Sequence, residues 1–271
     1  MRRFPLLLLL LLLSLPGTAA SGQDAPATAK GHLLRGLALS EKGDLSEAVV
    51  EYNAAIEIDP RFTKAYNWRG VARARLGDYD GAMADYDKAI EIDPGYAMAY
   101  SNRGIAREGR GDRHGAFADY NKAIEVDPKN AYAYNVRGLA REGRALGDAG
   151  SGRGGAGDYD GAIADYTKAI GINPGYAEAY YNRALARNAK GDYDGAIADA
   201  TKAIESIRRR MNPQDDAMAD AHALRGLAAL KLGKDEEAGR DIASAIKLNS
   251  RLKPWLEAES AKIKQARPPK E

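Results

Sequence analysis

The stretch Thr63–Tyr96, TKAYNWRGVARARLGDYDGAMADYDKAIEIDPGY, decides the fold, because the chain returns to it several times. Its Arg69-Gly70 pair recurs as Arg35-Gly36, Arg103-Gly104 and Arg137-Gly138, always 34 residues apart. Between recurrences stand a Gly-Asp pair, here Gly77-Asp78, and a closing Ile92-Asp93-Pro94. Apolar residues on each side of Gly77-Asp78 fall at helical spacing, which predicts helix A over Ala65–Leu76 and helix B over Gly81–Glu91. Gly77 suits the left-handed position just past a helix end, and Asp78 or Asp80 can cap the helix that follows. Pro94 blocks further helix and biases Asp93 away from it, so the chain must turn. Self-similarity at this period is the signature of stacked helical hairpins, an all-α solenoid.

With the recurring glycine as the eighth residue of each unit, six units run 29–62, 63–96, 97–130, 131–176, 177–210 and 219–252. Ala72, Ala82 and Ala89 allow helices A and B to approach closely while Tyr86 fills the space between. The set returns as Ala106, Ala116, Tyr120 and Ala123, and again as Ala140, Ala162, Tyr166 and Ala169. An isolated hairpin of this kind cannot bury its apolar faces, so neighbours must stack into one core. Residues 253–271 carry a partial apolar stripe, Trp255, Leu256 and Ile263, which predicts a capping helix before a disordered tail at Pro268-Pro269.

These units resemble tetratricopeptide repeats. Tyr66, Gly70, Ala82, Tyr86, Ala89 and Pro94 meet the family pattern, as do Tyr100, Gly104, Ala116, Tyr120, Ala123 and Pro128. The resemblance covers 29–252. It implies a right-handed α-solenoid, a non-catalytic scaffold whose A helices line a concave groove for a protein or peptide partner, whose identity the pattern does not specify. Carried over by position, that groove includes Asn67, Met98, Asn102, Ile105, Tyr132, Asn135, Tyr181 and Asn182, beside Lys64, Val71 and Arg75. Amide side chains supply both donors and acceptors for an extended backbone, and tyrosines supply rigid contact area. The competing reading is that the asparagines satisfy neighbouring backbone groups.

The units depart from the family pattern in one systematic way. Arginine holds the seventh and eleventh positions in four of them: Arg69/Arg73, Arg103/Arg107, Arg137/Arg141 and Arg183/Arg187. Spacing of four places each pair on one helix face. Helix B answers with Asp85, Asp119, Asp165 and Asp199, which predicts an internal Arg–Asp ladder rather than a basic stripe for an anionic ligand. His32 and His222 occupy the fourth-position aromatic site of the terminal units and read as packing substitutes. Three histidines in units 1, 3 and 6 do not suggest a metal site, and neither a cofactor motif nor a catalytic constellation is present. The insertion Ala145–Ala156, ALGDAGSGRGGA, lacks the Gly-Lys-Ser/Thr of a phosphate loop and reads as a flexible turn. Arg110-Gly111-Asp112 spells an adhesion tripeptide but sits on the shared Gly-Asp turn.

Residues 1–20 stand apart. Arg2-Arg3, the apolar run Leu6–Leu13 and Thr18-Ala19-Ala20 have the layout of a secretory signal peptide, followed by a flexible segment over 21–28. The apolar run falls short of the roughly 18–20 residues that span a bilayer, although a retained anchor is the rival reading. Cleavage would leave the chain in the periplasm, with the extracellular space as the alternative, and no inserted segment. The chain has no cysteine, so it can form neither disulfides nor thiolate sites. Of 40 basic and 38 acidic residues the first 20 hold two arginines, so the remainder is balanced and has no electrostatic footprint for nucleic acid. A second role from a different class is a structural subunit that self-associates through its terminal repeats.

Overall fold

The computed structural model describes residues 28–143, 157–209 and 215–267. The signal-peptide reading of 1–20, nearly all of segment 21–28, the insertion 145–156 and the tail from Pro268 lie outside the described residues. Six helical hairpins follow one another: α1 (Ala29–Lys42) with α2 (Leu45–Ile58), α3 (Thr63–Arg75) with α4 (Tyr79–Ile92), and α5 (Ala97–Gly109) with α6 (Arg113–Val126). Next come α7 (Ala131–Arg141) with α8 (Tyr159–Ile172), α9 (Ala177–Lys190) with α10 (Tyr193–Arg208), and α11 (Asp215–Lys231) with α12 (Asp235–Leu248). A 3-10 turn at Ser250–Leu252 leads into α13 (Lys253–Gln265). The described residues form two compact units, one ending at Val136 within α7 and the other beginning at Arg137.

Helix boundaries follow local chemistry. Gly77 adopts φ +87°, the left-handed conformation that ends helix A without steric cost. Asp78, rather than Asp80, is the cap: its Oδ1 accepts the Gly81 N–H at 2.9 Å. Helix B therefore starts at Tyr79, two residues earlier than its apolar pattern shows. Asp112, Asp158 and Asp192 cap α6, α8 and α10 in the same way. Thr28, assigned by sequence to the flexible segment, instead caps α1 by accepting the Gly31 N–H at 3.1 Å. The sixth hairpin reaches further back than residue 219, where its unit was set, because α11 spans Asp215–Lys231.

In the first unit, Tyr52, Tyr86 and Tyr120 are buried plugs, each set against small residues of its own hairpin. Tyr52 also packs on Ala72, and Tyr86 on Ala106, so each plug joins its hairpin to the next helix A. The plug needs a missing side chain opposite it. A Cβ on Gly104 would stand 2.5 Å from Tyr120 Cε1, well inside contact distance. In the second unit Tyr166 packs on Ala162 and Ala186 in the same manner. The following hairpin changes both partners together: Ala184 replaces the glycine, Ala200 replaces the tyrosine, and Leu224 of α11 packs into the same cluster. At the end of that unit, Leu256 of α13 is fully buried among Leu227, Leu230 and Ala245, with Ile263 alongside, so α13 covers the last stacking face. Trp255, the residue before Leu256, stays half-exposed.

Candidate functional site

Each aspartate of the ladder is buried and held by two arginines. Asp119 accepts from Arg103 at 2.6 Å and from Arg107 at 2.8 Å. Asp85 accepts from Arg69 at 2.5 Å and Arg73 at 2.8 Å. In the second unit Asp165 meets Arg137 at 2.6 Å and Arg141 at 3.0 Å, while Asp199 meets Arg183 at 2.7 Å and Arg187 at 2.9 Å. Burial works against the Arg103 charge, yet its bonds to Asp119 and Asp87 hold its pKa above the ordinary value. These guanidinium groups are thus committed to the hairpins.

The seventh-position arginine also has a second task that the sequence did not reveal. Arg69 Nη1 donates to Asn53 at 2.7 Å and Arg103 Nη1 to Asp87 at 2.5 Å, each reaching helix B of the preceding hairpin. Arg183 reaches Thr167 at 2.9 Å and Arg225 reaches Thr201 at 3.0 Å. One side chain closes its own hairpin and fastens it to its neighbour.

The terminal histidines need correction. In both terminal hairpins the eleventh-position arginine is replaced, by Leu39 or Ala229, which leaves the helix-B acid one donor short. His32 Nδ1 lies 2.8 Å from Glu51 Oε2, and His222 Nδ1 lies 2.8 Å from Asp241 Oδ1, with Arg35 and Arg225 on the same carboxylates. Each histidine is a polar partner, not a packing substitute. Burial alone would raise the pKa of Glu51 and Asp241, but the bonds from histidine and arginine outweigh it and lower both. The adhesion tripeptide is likewise engaged: Arg110 pairs with Asp80, and Asp112 caps α6.

The residues expected to line a groove divide by depth. Asn67 is fully buried, and Asn102, Asn135 and Asn182 are nearly so. Asn102 Nδ2 donates to Asn67 Oδ1 at 2.9 Å and Tyr132 O–H donates to Asn102 Oδ1 at 3.1 Å, which ties α3 to α5 and α5 to α7. Met98, Ile105 and Tyr132 are only half-buried, as is Val71. Asn67 Nδ2 and Ser101 Oγ, both at fifth positions of consecutive A helices, are buried without a hydrogen-bond partner. In the second unit Tyr181 is half-buried against Ala184, Ala200 and Leu224.

A cleft of about 390 Å³ opens in the first unit where α1 and α3 begin. Leu33, Phe62 and Tyr96 form its apolar lining, and Lys30, Arg61, Lys64 and Asp93 its charged lining. Phe62 and Tyr96 are equivalent residues, each immediately before a helix A. Asp59 Oδ1 accepts the Arg61 N–H and Asp93 Oδ1 the Gly95 N–H, both at 3.0 Å, so the two loops that present these aromatics are built alike. Burial and the neighbouring Asp93 push the Tyr96 hydroxyl up to about 12. Only Lys64 of this lining stood out in the sequence; the aromatic that closes units 1 and 2 was the signal available.

Comparison with known proteins bears on the repeats. A TPR repeat family model matches residues 36–77, and tetratricopeptide repeat models match 63–96 and 148–216. The matches support tetratricopeptide repeats. Solved tetratricopeptide-type structures share the fold. The APC/C hetero-tetramer Cut9–Hcn1 aligns with a TM-score of 0.68 at 16% identity over 90% of this chain, which spans only 44% of the length of that one. A Pseudomonas aeruginosa pilF structure aligns with a TM-score of 0.63 at 17% identity, covering 91% of this chain and 99% of that one. A tetratricopeptide repeat protein from Parabacteroides merdae aligns with a TM-score of 0.56 at 22% identity, covering 88% and 86%. No curated protein matches the sequence. At these identities the likeness speaks for the fold, which is consistent with protein–protein interaction and with a non-catalytic scaffold.

Proposed function

We propose that the chain is an exported, non-catalytic scaffold that binds a protein or peptide partner on the A-helix face of its repeats. The observation that carries this reading is the face formed by α3, α5 and α7 in the first unit. Half-buried Val71, Met98, Ile105 and Tyr132 offer apolar contact there, beside Asn67 and Ser101, whose polar atoms have unused hydrogen-bonding capacity. Export rests on the Arg2-Arg3, Leu6–Leu13 and Thr18-Ala19-Ala20 pattern, with the periplasm as destination.

Two measurements test these claims separately. Protein recovered from its native cells should begin near Ser21 and wash free of membranes in carbonate; recovery of Met1 or retention in the pellet would refute export. Mature protein used as bait against an envelope extract should retain a partner that a folded Met98→Ser/Ile105→Ser variant loses. Equal capture by the variant would remove the A-helix face from the reading.

A further inference from the structure

Many cations of the first unit are already held in ion pairs, on the surface as with Lys88–Glu91 and Lys122–Glu125 or within the hairpins. Arg69, Arg73, Arg103 and Arg107 are each bonded to a buried aspartate. Lys30, Arg61 and Lys64 are exposed, and no side-chain ion pair engages them among the described residues. All three border the same cleft of about 390 Å³, between Leu33, Phe62 and Tyr96. The single acid on its lining, Asp93, already accepts a backbone N–H at 3.0 Å. Free positive charge and apolar lining therefore coincide at one place.

We propose that this cleft docks an acidic segment of a partner polypeptide, with one apolar side chain seated against Leu33, Phe62 and Tyr96 and flanking carboxylates facing Lys30, Arg61 and Lys64. The inference rests on the scaffold reading and names the chemistry of the partner. A volume near the lower end of ordinary ligand sites, about 300–1,000 Å³, suits one anchoring side chain rather than a folded domain. Three separate cations around an apolar lining favour several carboxylates on a chain over one compact anion. Charge placed at the rim of a contact steers association and selects partners, and its effect weakens in salt.

Fluorescence anisotropy on the full-length chain after removal of residues 1–20 provides the test. Three labelled ten-residue peptides serve as probes: one of Asp and Glu around a central Leu, one with Lys for every acid, and one with Gly for the Leu. The acidic Leu peptide should bind and weaken in high salt, the Lys peptide should not bind, and the Gly peptide should bind more weakly. A Lys30→Glu/Lys64→Glu variant should weaken the first peptide by about tenfold or more, as expected for loss of steering and pairing at a rim. Its thermal melt and that of a Lys129→Glu control, at an exposed cation away from the cleft, should match the parent, and the control should bind normally. Absence of binding by the acidic Leu peptide, equal binding of the Lys peptide, or indifference to the double substitution would overturn the proposal. Binding of phosphatidylserine vesicles in place of the acidic peptide would overturn it too. Envelope capture through Met98 and Ile105 reads a different surface, so its survival alongside a failed peptide titration would sink the cleft alone.

Discussion

Glu108 should make the stability of the first unit depend on pH in a direction opposite to that of a typical surface acid. The side chain is 8% exposed, and its carboxylate accepts the Tyr120 hydroxyl at 2.8 Å. Burial is the largest influence and outweighs that bond, lifting the pKa from 4.5 to about 7. The folded state therefore holds the proton more tightly than the unfolded state does between those two values. Stability is fully present below about pH 4.5, falls as pH rises towards 7, and stays lower above it. At about 1.4 kcal/mol for each tenfold change in proton affinity, the loss approaches about 3 kcal/mol. Glu108→Gln keeps an acceptor for Tyr120 and cannot ionise, and the same repeat position is already neutral as Ser40 and Ala74. Urea unfolding followed by circular dichroism at pH 5 and pH 8 reads the difference between parent and variant. The variant should be the more stable at pH 8 by up to about 3 kcal/mol and gain much less at pH 5. A gap that does not change with pH, or a variant weaker at pH 8, would refute a buried, proton-binding Glu108.

The two ion pairs of Arg103 should differ in strength. Asp119→Ala strands two part-buried guanidinium groups and should cost about 3–5 kcal/mol, whereas Asp87→Ala removes an exposed partner of the same Arg103 and should cost about 0–1 kcal/mol, read from the same urea curves. Gly104→Ala should destabilise by about 1–3 kcal/mol because its Cβ meets Tyr120. Tyr120→Ala alone should cost on the order of 3–5 kcal/mol, and the double variant should cost less than the sum, as Ala184 with Ala200 already shows to be compatible. Asp112→Ala should lose about 1 kcal/mol of capping, visible as faster hydrogen exchange at the start of α6.

Much of the fold was legible because its causes are local and repeated. Gly77 with Asp78 states both a helix end and a helix start, and recurrence made the statement hard to misread. The Arg–Asp ladder was legible for the same reason, since spacing of four on one helix and a matching acid on the next leave little freedom. What the sequence hid were contacts between units of the repeat. That Asn102 bonds Asn67 depends on how two A helices lie side by side, and neither residue's own hairpin encodes it. His32 and His222 were misread because they stand where an aromatic belongs, while their role follows from the loss of arginine about two helical turns along, at Leu39 and Ala229. The cleft was hidden in another sense: its lining comes from two helix starts and two loops, none of which departs from the pattern.

Folding and binding compete for the same side chains, and that competition locates the surfaces available to a partner. An arginine that holds a buried aspartate 2.6 Å away, as Arg103 holds Asp119, cannot turn to a ligand without leaving that aspartate uncompensated. The repeat therefore withdraws the ladder arginines, its most conspicuous charges, from recognition. Among the groups it leaves free are the half-buried apolar side chains of the A helices and the cleft cations Lys30, Arg61 and Lys64. Those lysines and the arginine lie near helix starts and loops, where a change of residue disturbs neither plug nor ladder. A repeat array can vary such positions at small cost to its stability, and partner specificity is most readily placed there.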